Sequence, residues 1–276
     1  MSTVRPAQRG LLFLGCLLAF VRWEPAPYDL FLIIIFLLYA RGLTWKSYQL
    51  VFVVLLGPLL FTHVPALGAA LEVAPERTLY YSLVTLYLAL SSVFFMSLPE
   101  RSVPLLLLGY EVGALLSGLL GVLAFLRIPG LEDLLWGGSR AVAFFKDPNV
   151  FGAFLIPALF LALARLEQGR KFWILPALIL FLGVLVSLSR GAWANFAVAL
   201  LAWWLLRPRK RIWLPLVLLT LAGGVGISVV VMPDNPIVQR LGFMPYDKER
   251  FFTQMESLSL ALTQPLGYGP GLSEIH

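Results

Sequence analysis

Arginine side chains lie beside short turn-forming stretches in three parts of the sequence. The stretches span residues 140–149, 187–193 and 250–276, and their arginines are Arg140, Arg190 and Arg250. Arginine suits phosphate binding because its planar guanidinium can donate two parallel hydrogen bonds to phosphate oxygens. The chemistry that these residues favour is therefore the binding of an anionic group such as a diphosphate.

The first stretch also carries Lys146 and the turn sequence Asp147-Pro148-Asn149. A helix is predicted to begin here, since proline favours the first helical turn and aspartate or asparagine favours the capping position. Capping is the simpler interpretation of Asp147 and Asn149. It does not explain Arg140 and Lys146, which stay candidates for anion binding.

The second stretch, Ser187-Leu188-Ser189-Arg190-Gly191, connects two predicted membrane spans. The connection is so short that Arg190 is expected at the membrane boundary. Two interpretations stay open for this side chain. It either extends to the lipid headgroups or holds a lipid diphosphate.

The third stretch contains Arg250, in a predicted amphipathic helix, and a glycine-rich turn. Glycine permits a close approach of the backbone to a ligand, although a tight turn explains glycines equally well. No βαβ unit surrounds the turn, so it is not a dinucleotide-binding fingerprint. The glycines that could approach a ligand are Gly267, Gly269 and Gly271.

Other residues suited to chemistry are few. His63 and His276 are the only histidines, and a general base that works near neutral pH would be one of them. The single cysteine, Cys16, excludes a disulfide framework and a cysteine-based zinc site. Glu111 lies inside a predicted span, where a carboxylate indicates either a function or a structural hydrogen bond. We predict no metal site and no cofactor.

The amino-acid composition indicates which type of secondary structure holds these residues. Hydrophobic residues make up 59% of the 276 residues and charged residues 13%, about half the charged share of a soluble domain. Apolar runs of roughly 17–25 residues recur, and they must be helical because lipid offers the backbone no hydrogen-bonding partner. We therefore predict one all-α integral membrane domain, a polytopic helical bundle of about nine spans. The predicted spans are 8–23, 28–43, 48–63, 79–98, 103–126, 149–165, 172–188, 191–206 and 212–232, followed by a loop or tail at 233–276.

The distribution of charge predicts the orientation of these spans. Short loops on one side hold 12 of the 21 basic residues, whereas the other side holds 9 basic and 12 acidic residues. Basic residues in short loops mark the cytoplasmic side. The N-terminus is therefore predicted inside, and the three arginine-bearing stretches outside. The net charge of +6 is a signal of topology, so no nucleic-acid partner is predicted.

The three stretches together resemble the signatures of the O-antigen ligase family. Arg140 with Phe145-Lys146-Asp147-Pro148-Asn149 is similar to the first signature, and Ser189-Arg190-Gly191 is similar to the second. Arg250, the glycine-rich turn and His276 are similar to the third. That family includes O-antigen ligases, O-antigen polymerases and protein O-oligosaccharyltransferases. The resemblance covers about residues 140–276, and members continue past the histidine, so we expect this chain to be truncated.

The resemblance implies a glycosyl transfer on the periplasmic face of the bacterial inner membrane. The donor would be an undecaprenyl-diphosphate-linked glycan, and the acceptor a hydroxyl of lipid A-core, of another glycan or of a protein. His276 would act as base while Arg190 and Arg250 hold the diphosphate. Other residues would attract the donor, hold the loop or contact the substrate: Arg140 and Lys146, Asp147 and Asn149, and Gly267, Gly269 and Gly271.

Three alternatives stay open, and one of them is an inactive remnant, which the abrupt end of the sequence at His276 suggests. A polysaccharide polymerase of the same family would use the same arginine and histidine set, with a different acceptor. A transporter or channel would require polar residues along several spans and often a repeated half. Glu111 is the main charge within the predicted spans and no internal repeat is present, which favours transfer over transport.

Overall fold

The computed structural model describes residues 6–39, 49–50, 54, 57, 67–68, 70–206 and 245–263. Contacts divide the chain into two compact units. The first unit comprises Met1–Leu38 and Ser102–Phe243, and the second comprises Tyr39–Arg101 and Met244–His276.

Helices form nearly all of the regular structure in the described residues, which confirms the all-α prediction. A two-stranded antiparallel hairpin, β1 (Leu135–Trp136) with β2 (Arg140–Ala141), is the exception among them. Short 3₁₀-helices occupy Glu100–Ser102, Glu132–Leu134 and Lys171–Trp173. The α-helices are α1 (Pro6–Leu17), α2 (Pro27–Tyr39), α3 (Pro75–Ser97), α4 (Val103–Phe125), α5 (Pro148–Glu167), α6 (Ile174–Val186), α7 (Arg190–Leu206) and α8 (Pro245–Thr263).

Three of the described helical segments are long and apolar enough to cross a membrane: Pro75–Ser97, Glu100–Phe125 and Pro148–Glu167. Shorter apolar helical segments occupy Pro27–Tyr39 and Lys171–Val186. The predicted span 212–232 lies outside the described residues, as does most of 48–63. The number of nine spans and their orientation stay predictions.

The first helix is shorter than the predicted span 8–23. Helix α1 ends at Leu17, and a 12-residue helix reaches only about 18 Å. Beyond it, the backbone N–H of Val21 donates to the carbonyl of Phe144 over 3.1 Å. At Val21, a hydrogen bond to the distant loop that contains Phe144 therefore takes the place of a bond within the helix. The hydrophobicity of residues 18–23 gave no signal of this exchange.

Helix α3, in the second unit, satisfies several of its hydroxyl groups with its own backbone carbonyls. The hydroxyls of Thr85, Ser91 and Ser92 each donate to the carbonyl four residues earlier, over 2.7–2.8 Å. Such bonds let hydroxyl groups lie in an apolar phase without an outside partner. Large apolar side chains on the same helix are more than half exposed, among them Leu79, Leu83, Leu86 and Leu90. This surface suits contact with lipid.

Helices α1 and α4 pack through glycines. An added Cβ on Gly109 would overlap the carbonyl oxygen of Leu12, and one on Gly113 would lie 2.5 Å from the carbonyl oxygen of Cys16. In a bilayer, helices gain little from hiding apolar surface, so close backbone approach through small residues supplies the attraction. Contacts advance along both helices together, so α1 and α4 run parallel, in agreement with the same predicted direction for the first and fifth spans.

We predict that Gly109→Ala disrupts this helix pair, because its methyl group would collide with the backbone of α1. The control is Gly118→Ala in the same helix, whose Cβ would meet its nearest neighbours at 3.7 Å, an ordinary contact. Thermal unfolding of each purified variant in detergent provides the measurement. Gly109→Ala should lower the midpoint by several degrees and Gly118→Ala should not. Equal midpoints would contradict the proposed packing.

Helices α4 and α5 are joined by a buried ion pair. Glu111, 4% exposed, accepts a hydrogen bond over 2.5 Å from Nη1 of Arg165. The hydroxyl of Tyr110, the residue that precedes Glu111 in α4, donates to the carbonyl of Phe154 over 2.5 Å. A lone charge within a bilayer is costly, and pairing removes the net charge. Glu111 therefore makes a structural contact, one of the two interpretations that its sequence position allows.

We predict that Glu111→Ala destabilises the protein, because Arg165 loses its counter-charge. Breaking a buried pair costs about 3–5 kcal/mol in soluble proteins, whereas replacing both partners by apolar residues is close to neutral. The double variant Glu111→Leu/Arg165→Met should thus recover most of the thermal midpoint that Glu111→Ala loses. A midpoint unchanged by Glu111→Ala would show that the pair does not stabilise the fold.

Candidate functional site

Several chain segments meet at one end of the first unit. The ring of Phe20, just after α1, stacks on Phe144 with centroids 4.5 Å apart. At the start of α5, an added Cβ on Gly152 would lie 2.6 Å from Oγ of Ser187 and 2.8 Å from Cβ of Ala192. The end of α1, the loop before α5 and the turn between α6 and α7 therefore share this end, which we name the α5 N-terminal end.

Arg140 connects these segments. Its side chain is nearly buried, at 8% exposed, in strand β2. Nε donates to the carbonyl of Ser187 and Nη2 donates to Oδ1 of Asn149, both over 3.2 Å. The guanidinium also lies 5.7 Å from the ring centre of Trp136 in strand β1. One arginine thereby joins the hairpin, the start of α5 and the turn that precedes α7.

The hairpin turn delivers Arg140 to this position. Gly137 and Gly138 both adopt positive φ, at 57° and 68°. Glycine takes such angles without strain, whereas most side chains do not. The chain therefore reverses between Trp136 and Arg140, and the two residues pair across the strands.

Asp147 caps helix α5. Its carboxylate accepts a hydrogen bond over 2.5 Å from the backbone N–H of Asn149, and Pro148 occupies the first turn. The capping interpretation of Asp147 is confirmed. Asn149 does more than belong to the cap, since its side-chain oxygen accepts from Arg140.

The turn between α6 and α7 is held by two serines. Ser187 Oγ donates to the carbonyl of Val184 over 2.7 Å and accepts from the N–H of Ser189. Ser189 Oγ accepts from the N–H of Ala192 over 3.1 Å and so caps α7. Leu188, buried between them, has φ of 49°, a strained value for a bulky residue and one typical of functional turns.

Arg190 is the first residue of α7 and is partly buried. The N-terminus of a helix carries a partial positive charge that favours anions. The start of α5, which the Asp147 carboxylate caps, packs against the same turn. This arrangement can hold an anionic group beside Arg190.

Lys146 and the loop before it lie at the rim of this site. Lys146 is about half exposed and forms an ion pair with Glu24, and an exposed pair contributes little to stability. Nη1 of Arg22 donates to the carbonyl of Asp133 over 2.7 Å. The backbone N–H groups of Glu132 and Gly130 hold the pKa of the Glu132 carboxyl below its usual value, so this rim carries negative as well as positive charge.

The third stretch belongs to the second unit. Arg250 lies in helix α8, whereas Gly267, Gly269, Gly271 and His276 lie outside the described residues. The structure therefore brings together the first and second stretches, through Arg140. The meeting of both with the third stretch stays a prediction.

Sequence reasoning named Ser187 and Ser189 without assigning their roles in the turn, and it missed Trp136. Serine before a helix is a capping signal, which could have identified Ser189. The acceptor in Ser187 is its backbone carbonyl, which every residue type has, so the sequence could not indicate this contact. Glu24, the partner of Lys146, also gave no signal, because the two residues are distant in the chain.

No family model, curated protein or solved structure matches this chain.

We predict that Arg140→Met loosens the α5 N-terminal end. Hydrogen bonds to a charged group contribute about 1.5–3 kcal/mol each, and this substitution removes two while keeping an apolar side chain of similar length. Hydrogen exchange should speed up at the amides of residues 187–192. Lys146→Ala is the control, since it removes an exposed charge from the same loop and should leave these amides protected. Unchanged exchange in Arg140→Met would contradict the connecting role.

Proposed function

We propose that the protein transfers a glycan from an undecaprenyl-diphosphate carrier to an acceptor hydroxyl at the α5 N-terminal end. The observation that supports this most is the pair of hydrogen bonds from Arg140 to Asn149 and Ser187. They place two of the three sequence elements that resemble the O-antigen ligase family in one location.

The electrostatics of this location suit a diphosphate. Arg190 begins helix α7, and the guanidinium charge adds to the helix N-terminus. Each hydrogen bond from an arginine to a phosphate oxygen contributes about 1.5–3 kcal/mol. Such a hydrogen bond accelerates transfer if it becomes stronger in the transition state, where the leaving diphosphate gains negative charge.

In this proposal Arg140 is a positioning residue, and Arg190 with Arg250 contacts the donor. Arg140 is nearly buried and bonded to Ser187, so it sets where the turn presents Arg190. Asp147 and Asn149 hold the start of α5. Lys146 at the rim attracts the anionic donor.

The chemical step needs one base and one leaving group. The acceptor oxygen forms a bond to the anomeric carbon while its proton passes to His276, the base that the family resemblance implies. The bond between the anomeric carbon and the phosphate oxygen breaks, and undecaprenyl diphosphate leaves with both bonding electrons. The arginines offset the negative charge that develops on this oxygen.

We predict that Arg190→Ala and Arg250→Ala each abolish transfer while the protein still inserts into membranes. Membranes that hold the full-length variant are supplied with the lipid-linked glycan, and transfer to the acceptor is followed by gel shift. Arg190→Lys should retain a fraction of the activity, because it keeps the charge and loses the two-pronged geometry.

The matched control is Arg127→Asn, an exposed arginine that follows α4. Asparagine tolerates the positive φ of 62° at this position, so transfer should be unchanged. Wild-type transfer by Arg190→Ala would overturn the proposed diphosphate contact.

A further inference from the structure

A second cluster of donors lies at the other end of the first unit. Arg165 stands in the last turn of α5, about 24 Å along the helix from Asn149. Its guanidinium lies 4.1 Å from the ring centre of Trp173, in the 3₁₀-helix that follows α5. Its Nη1 also donates to Glu111. The guanidinium is therefore held between an aromatic face and a carboxylate.

This cluster contains one buried donor that lacks an acceptor among the described residues. Nε1 of Trp173 is buried and has no hydrogen-bond partner among the described residues. Arg165 has five N–H donors, and its bond to Glu111 uses one of them. A buried donor without an acceptor is costly. The arrangement therefore calls for a group rich in acceptor oxygens.

Charge around the cluster favours an anion. Glu111 and Arg165 form an ion pair, so their charges offset each other. Attraction must then come from neighbours, and Arg170 and Lys171 are both exposed beside Trp173. The sequence adds a basic segment, 207–211, directly after α7.

The end of α7 lies near the end of α5, since Nε1 of Trp203 donates to Glu167 over 3.3 Å. Clusters of basic residues at helix ends attract the headgroups of anionic lipids.

Apolar side chains beside the cluster distinguish a lipid from a free anion. Phe172, Ile174 and Leu175 are 69%, 58% and 63% exposed. They flank Trp173 at the start of the apolar segment Lys171–Val186. A phosphate group at Trp173 would thus have its acyl chains alongside an apolar surface, and tryptophan favours this membrane depth.

We propose that Arg165 and Trp173 bind the phosphate group of an anionic phospholipid, with Arg170 and Lys171 supplying the attraction. Trp173 Nε1 and the remaining N–H groups of Arg165 donate to its oxygens. Phe172, Ile174 and Leu175 contact its acyl chains. The site lies away from Arg190 and does not depend on the proposed glycan transfer.

The test measures lipid binding to the full-length protein in detergent by native mass spectrometry and thermal stabilisation. The probes are phosphatidylglycerol, phosphatidylcholine and inorganic phosphate. Phosphatidylglycerol should bind at least about tenfold more tightly than phosphatidylcholine, and inorganic phosphate alone should not stabilise. Equal binding of both lipids, or equal stabilisation by inorganic phosphate, would overturn the proposal.

Two variants locate the site. Trp173→Phe keeps the ring under Arg165 and removes the N–H, so phosphatidylglycerol affinity should fall about threefold or more. The double variant Arg170→Gln/Lys171→Gln changes exposed residues only and should also weaken it. Arg127→Asn, at the opposite end of α4, is the control and should bind like the wild type. Wild-type affinity in both cluster variants would show that the lipid binds elsewhere.

Discussion

The buried guanidinium of Arg140 holds the arrangement on which the candidate site depends. It donates to Asn149 at the start of α5 and to the carbonyl of Ser187 before α7. Where water is scarce, such charge-assisted bonds are strong, and losing an acceptor would leave a costly donor. Since the turn that begins at Ser187 leads directly into Arg190, the placement of one arginine determines where the other is presented.

The two ends of the first unit accommodate a buried arginine in opposite ways. The hydrogen bonds of Arg140 to Asn149 and Ser187 go to neutral acceptors. Arg165 is held by the carboxylate of Glu111, so the pair is neutral. The first arrangement joins the hairpin, the start of α5 and the turn before α7. The second lets two long helices pack within a bilayer, and leaves exposed residues to attract lipid headgroups.

Local features were predictable from the sequence, and long-range ones were not. Asp147 was identified as a cap because its partner is two residues away. The all-α fold followed from apolar length and the hydrogen-bonding demands of lipid. The burial of Arg140 could not be predicted from the sequence, because its acceptor is the backbone carbonyl of Ser187 in a distant turn. Arg165 was counted only as a topology charge, although its main contact is Glu111.

The proposed glycan transfer requires that the second and third stretches face one site on the outer side of the membrane. Single cysteines at Gly191 and Ser273, in a Cys16→Ala background, test it directly. An impermeant thiol reagent applied to intact cells should label both positions, and a short bifunctional reagent should join them when both are present. Labelling of the two positions from opposite sides of the membrane would contradict the account.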